Sequence, residues 1–258
     1  ISCDVELVCL MLETLSAVEV KDVQIVLGHV GIYRSLVQAA AIGAAAEAKL
    51  HDAVQRKAYD EIDEVLSSVV DEEHLRSLLS TLTRLSGDES ILLDAVQKFS
   101  DAPLDVKEKL EELTIISEAV KARTPEVVIC FDLCELRGYD YHTGIVFAAY
   151  TPAYGRAIAK GGRYDSIGEV FGRSRPASGF DTDLKTLVTL SSSAFDRQGV
   201  ILAPVSNDPK LSEKIMDLRS EGRVVISCSE RELQDEEITR ELRASHTLVL
   251  TSGEWVVS

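Results

Sequence analysis

Two short segments concentrate the polar chemistry of this chain: Glu135-Leu136-Arg137-Gly138-Tyr139-Asp140-Tyr141-His142-Thr143-Gly144 and Gly161-Gly162-Arg163-Tyr164-Asp165. Together they place cations, phenols, carboxylates and an imidazole on a glycine-hinged framework, a set that can hold a small polar zwitterion. Arg137 offers a planar fork of N–H donors that pairs with a carboxylate through two bonds. Tyr141, His142 and Tyr164 offer hydrogen-bonding tips on flat rings. Gly138, Gly161 and Gly162 let the backbone approach a ligand closely, and with Asp140 and Arg163 they are the residues expected to shape the pocket. Each segment also has a plainer reading. Gly161-Gly162 alone is a turn between two strands, and Asp140 can tie down its own turn.

The elements that position these segments are legible from periodicity. Leu7 to Leu15 reads as a helix, and Val23 to Leu27 as a strand broken by Gly28-His29-Val30-Gly31. From Ile32 to about Lys121 leucines and alanines recur at helical spacing, with breaks at Gly43 and Gly87 and a long amphipathic helix from Leu104 to Lys121. Strands follow at Val127–Leu133, Ile145–Tyr150 and Arg156–Lys160, and the tight loops between them favour antiparallel pairing. A strand from about Ala177 to Phe180 leads into a helix from Asp183 to Leu190. Beyond Ser191-Ser192-Ser193 the pattern becomes a βαβ unit: strand 199–204, helix 209–221, strand 223–227, with further strands at 247–250 and 255–257. The expectation is an α+β fold: a core over 1–190 with an antiparallel sheet and a helical insertion at about 32–122, a linker at 191–198, and a small α/β unit over 199–258.

Charge excludes whole classes of partner. The chain has 43 acidic and 27 basic residues, a net charge of −16. Nucleic-acid binding depends on Lys and Arg displacing counterions from phosphates, and anionic membranes make a similar demand. No apolar run approaches the roughly 20 residues of a membrane helix, and Ile1-Ser2-Cys3-Asp4 lacks the basic start of a signal peptide. Cys3, Cys9, Cys130, Cys134 and Cys228 form no Cys-x-x-Cys pair. Cys130 and Cys134 read as reduced core residues on one face of a strand, which fits a cytoplasmic location. His29 reads as a loop group or as a ligand-facing residue at a strand end. His51, His74 and His246 are too dispersed for a metal site, and neither a phosphate-binding glycine loop nor a nucleophile elbow occurs. No cofactor or metal is expected.

The two polar segments resemble the paired histidine-recognition motifs of class II histidyl-tRNA synthetases. Gly179-Phe180-Asp181-Thr182-Asp183-Leu184-Lys185-Thr186 stands where such a synthetase carries its third class-defining motif, Gly-Phe-x-x-Gly-x-Glu-Arg. The ATP-holding arginine is Thr186 here, the open glycine is Asp183, and Asp181 adds a further carboxylate. Adenylate formation needs cationic clamps on the triphosphate, and carboxylates in that place repel it. A histidine pocket with a dismantled ATP site resembles the regulatory subunits of ATP phosphoribosyltransferase, the first enzyme of histidine biosynthesis.

That resemblance implies a class II synthetase-like fold and a non-catalytic subunit. Such a subunit activates a short-form ATP phosphoribosyltransferase catalytic subunit and mediates feedback inhibition by L-histidine within a hetero-oligomer. It implies that Arg137, Tyr141, His142 and Tyr164 form the histidine site, with Arg137 on the carboxylate. It also places the first two class II motifs before Ile1, so an amino-terminal portion is expected ahead of this chain. The region from about 199 onward resembles a shortened anticodon-binding domain without a basic surface. Two alternatives stay open: a histidyl-tRNA synthetase with a degenerate third motif, and a ligand-free adaptor.

Overall fold

A computed structural model describes residues 1–166, 168, 172–191 and 199–258. The linker expected at 191–198 therefore lies outside the described residues except for Ser191. The chain divides into a larger unit, Ile1–Ser193, and a smaller one, Ala194–Ser258.

The larger unit is built on strands β1 (Gln24–His29), β2 (Ser86–Gly87), β3 (Val128–Asp132), β4 (Ile145–Thr151), β5 (Tyr154–Tyr164) and β6 (Ala177–Thr182), in the order β2-β3-β1-β4-β5-β6. Every pairing is antiparallel except β1 with β3. Strand alternation puts Ile25 and Leu27, Ile129 and Phe131, and Ile145, Phe147 and Ala149 on one face, where all are buried. Helices α1 (Ser2–Ala17) and α7 (Leu104–Arg123) pack in this layer, α1 against β5 and β6 and α7 against β1. Val106, Leu110, Leu113, Ile116 and Val120 give α7 its buried stripe at three- and four-residue spacing. Each such side chain contributes roughly 1.5–3 kcal/mol of burial energy.

Three expectations need correction. The strands at 128–132 and 145–151 are not neighbours, because β1 lies between them. The intervening helices α2 (Val30–Ala39), α3 (Ala44–Gln55), α4 (Tyr59–Val69), α5 (Glu73–Leu82) and α6 (Ser90–Lys98), with α7, form a crossover long enough to make β1 and β3 parallel. The Gly28–Gly31 break is a junction without a loop: β1 runs through His29 and α2 starts at Val30. Cys134 lies beyond the end of β3, buried in the turn that follows, so it shares no strand face with Cys130.

The smaller unit has a four-stranded sheet of its own. β7 (Val200–Pro204) is parallel to both β8 (Val225–Cys228) and β9 (Ala244–Thr251), and β10 (Glu254–Val257) closes a hairpin with β9. Its core gathers Ile201, Ala203, Leu211, Leu218, Val225 and Leu248. In unit one, a short helix α8 (Leu184–Leu190) follows β6.

Candidate functional site

The sheet face opposite α1 and α7 carries the polar chemistry. Register sets a row across four strands: Val26 on β1, Ala148 on β4, Lys160 on β5 and Asp181 on β6. The next row is Gly28, Val146, Gly162 and Gly179. Small residues here leave a trough in which a loop can lie. Gly161 and Gly162 are therefore interior residues of β5 rather than a turn between strands. A longer side chain at Gly162 would fill the space that His142 occupies, whereas one at Gly161 would meet Phe147 on the opposite face.

That loop is the segment after β3. Tyr141 N and His142 N donate to Gly138 O at 3.0 and 2.8 Å, closing a tight turn. Gly138 adopts φ +70°, where a side chain is disfavoured, and a β-carbon there would meet His142 Nδ1 at 2.6 Å. The His142 ring is buried between Gly138 and Gly162. Its Nδ1 lies 3.1 Å from Arg137 O; a carbonyl only accepts, so Nδ1 carries the hydrogen and Nε2 is left as an acceptor. Burial depresses the pKa of His142, against the Arg137 carbonyl and Glu135, which favour the cation.

Arg137 and Tyr141 face outward from the same turn, 44 % and 53 % exposed. The Tyr141 ring lies 4.2 Å from that of His142. Arg137 Nη2 donates to Tyr150 Oη at 3.2 Å and to Glu135 Oε2 at 3.3 Å. Burial lowers the Arg137 pKa, but the Tyr150 hydroxyl and the Glu135 carboxylate outweigh it and leave the group above its ordinary value. Both side-chain bonds use Nη2, so among the described residues Glu135 takes only one prong of the fork and leaves Nε and Nη1 to a ligand carboxylate.

Arg137 borders two connected spaces. A narrow cleft of about 50 Å³ is lined by Glu135, Arg137, Tyr141, His142, Gly161 and Lys160 among others. An open cavity of about 750 Å³ is lined by Arg137, Tyr150, Tyr154, Arg156, Lys160, Asp181, Asp183 and Thr186 among others. The structure so brings together Arg137, Tyr141, His142, Gly138 and the Gly161-Gly162 pair. Tyr164 is on the same face of β5 as Gly162, but its hydroxyl lies over Gly179, outside both linings. Arg163 takes the opposite face and reaches Asp4 on α1 at 3.3 Å and Asp165 at 3.1 Å. Asp140 is exposed, and no hydrogen bond from its own turn holds its carboxylate among the described residues. His29 is buried at the end of β1, where Nδ1 accepts from Gly31 N at 3.1 Å and caps α2.

Sequence reasoning missed Lys160, Arg156, Tyr150 and Glu135. Counting back in twos from Gly162 along β5 reaches Lys160 and Arg156, so strand parity held that signal.

Residues 1–187 match the sequence model of the histidyl-tRNA synthetase family, and residues 198–258 match that of the ATP phosphoribosyltransferase subunit HisZ C-terminal domain. The chain belongs to the histidyl-tRNA synthetase family. It is 45% identical over 258 residues to an ATP phosphoribosyltransferase regulatory subunit of Stutzerimonas stutzeri, covering all of this chain and 64% of that protein. The chain thus spans about 64% of the length of the curated relatives it matches. Its fold matches the crystal structure of an ATP phosphoribosyltransferase regulatory subunit/histidyl-tRNA synthetase from Bacillus halodurans, with TM-score 0.75, 23% identity, and coverage of 95% of this chain and 64% of the other. A chain of the ATP phosphoribosyl transferase (HisG:HisZ) complex from Thermotoga maritima matches with TM-score 0.54 and 20% identity over 70% of this chain and 60% of that one.

Helix α8 begins in the segment compared above with the family's third motif. Asp183 is the N-cap of α8, its Oδ1 accepting from Thr186 N at 2.7 Å. Those Thr186 bonds hold the Asp183 carboxyl below its ordinary range. The Thr186 hydroxyl lies 3.5 Å from Tyr154 Oη. The helix start is therefore closed by its own capping carboxylate, with the Thr186 hydroxyl beside it.

Proposed function

We propose that this chain is the effector-binding part of a non-catalytic regulatory subunit. The complete protein activates a short-form ATP phosphoribosyltransferase catalytic subunit in the cytoplasm and carries feedback inhibition by L-histidine. Chemistry on ATP and phosphoribosyl pyrophosphate belongs to the partner. The observation that carries this reading is the Asp183 cap with Thr186 beside it. The loop of Arg137, Tyr141 and His142 keeps a fork for a carboxylate and an acceptor for an imidazole N–H, while in the adjoining cavity, which Arg137, Arg156 and Lys160 also line, the third-motif positions hold Asp183 and Thr186 in place of a glycine and a phosphate-gripping arginine. Tyr164 would contribute by turning from Gly179 toward the ligand. The names of the relatives support the same partner.

In mechanism this is allostery: histidine shifts the assembly only by its difference in affinity between active and inhibited states. The test is calorimetric titration with L-histidine, run beside histidine-dependent exchange of pyrophosphate into ATP. Histidine binding without exchange is expected. Robust exchange would overturn the reading in favour of a working synthetase, and absence of histidine binding would favour a ligand-free adaptor.

A further inference from the structure

The turn that carries Arg137, Tyr141 and His142 is held from outside by one cation on a distant helix. Arg34 lies on α2, 105 residues earlier than Tyr139. Its Nη2 donates to Tyr139 O at 2.8 Å and to His142 O at 3.1 Å. Its guanidinium carbon sits 4.7 Å from the centre of the Tyr139 ring. One turn earlier on the same face of α2, Val30 N donates to Gly144 O at 3.1 Å. Three carbonyls of the loop are thereby strapped along one helix.

Arg34 makes no ion pair with a carboxylate among the described residues, in a chain where acids outnumber bases. Its charge is directed at backbone carbonyls and a ring, interactions in which a half-buried guanidinium is stronger than a neutral donor. The second anchor is Tyr139. Its hydroxyl donates to Glu47 Oε1 on α3 at 2.6 Å, and its ring meets the edge of Tyr33 at 5.6 Å. Burial, then Glu47, push the Tyr139 phenol up to about 12. It therefore stays a donor to Glu47 throughout the neutral range.

We propose that Arg34 is a positioning residue of the candidate histidine site, a role that rests on reading this loop as an effector site. Without it, the Tyr139 and His142 carbonyls lose their charged donor. The imidazole is then free to leave its slot between Gly138 and Gly162, and Arg137 and Tyr141 lose their fixed presentation. Arg34 and Glu47 together join the loop to α2 and α3.

The test compares the full chain with Arg34→Gln and Arg34→Lys, using backbone hydrogen exchange and calorimetric titration with L-histidine. Arg34→Gln is expected to speed exchange across 137–144 by roughly ten-fold or more and to weaken histidine binding by about ten-fold, with exchange in α7 unchanged. Arg34→Lys keeps a charged donor but loses the planar stack, so it falls between the two. Unchanged exchange across 137–144 in Arg34→Gln would overturn the proposal, as would faster exchange with unaltered affinity. If Arg34→Gln does not fold, Arg34→Lys carries the same comparison. If the wild-type chain binds no histidine, the effector reading falls and the positioning role with it. The exchange rates then still report whether Arg34 holds the turn.

Discussion

The imidazole of His142 lies directly against the α-carbon of Gly162. A β-carbon at that position would come within 2.7 Å of Nε2 and 2.8 Å of Cδ2. The acceptor atom of the buried ring and this glycine of β5 are thus mutually dependent. The ring occupies its slot because β5 has no side chain there.

Gly162→Ala should therefore displace His142 rather than merely crowd it, since the same β-carbon would also come within 2.8 Å of the Ile145 carbonyl. Overpacking of this kind costs about 1–3 kcal/mol. The expected outcome is a lowered unfolding midpoint together with histidine binding weakened by about ten-fold or more. Unfolding in denaturant and calorimetry measure the two effects separately. Full histidine affinity in Gly162→Ala would show that His142 does not need this slot.

Arg137→Ala removes the forked donor next to the cleft. Charge-assisted hydrogen bonds are worth roughly 1.5–3 kcal/mol, so histidine inhibition should weaken by about ten- to a hundred-fold. Assembly with the catalytic subunit should persist, because Arg137 is held by Glu135 and Tyr150 of its own unit. An inhibition titration beside size-exclusion chromatography separates these outcomes. Unchanged inhibition would remove Arg137 from the carboxylate site.

The acid side of the stability profile should depend on Glu112. The His29 imidazole facing it at 3.6 Å draws its carboxyl down, burial pushes it up, and Lys109 adds to the pull, leaving it at about 2 from an ordinary value of 4.5. A carboxyl depressed on folding adds stability that is fully present above its unfolded value and is lost as pH falls toward the folded one. Stability should thus decline as pH drops from about 4.5 to about 2. Glu112→Gln should flatten part of that decline. An identical acid limb in Glu112→Gln, measured by urea unfolding across pH, would contradict the assignment.

Contiguity made much of the site legible. Arg137, Tyr141 and His142 sit within one turn, so their types and spacing were enough to bring them together. The α+β class was legible because strand alternation and the helical stripe of α7 are local patterns. Arg163 was harder: residue type made it a pocket candidate, but alternation from Gly162 sends it to α1, where it pairs with Asp4. Arg34 left no local signal, because its meaning depends on α2 lying beside a loop 105 residues away. The placement of β1 between β3 and β4 was hidden for the same reason. A long helical crossover frees strand neighbours from chain order.

The most direct test of the regulatory account is the phosphoribosyltransferase activity of a short-form catalytic subunit. It is measured with and without the complete protein carrying this chain, across a titration of L-histidine. The account predicts activation on addition, reversed by histidine, and a higher histidine requirement when the added protein carries Arg137→Ala. A well-folded protein that leaves the catalytic subunit's activity unchanged at every histidine concentration would contradict it.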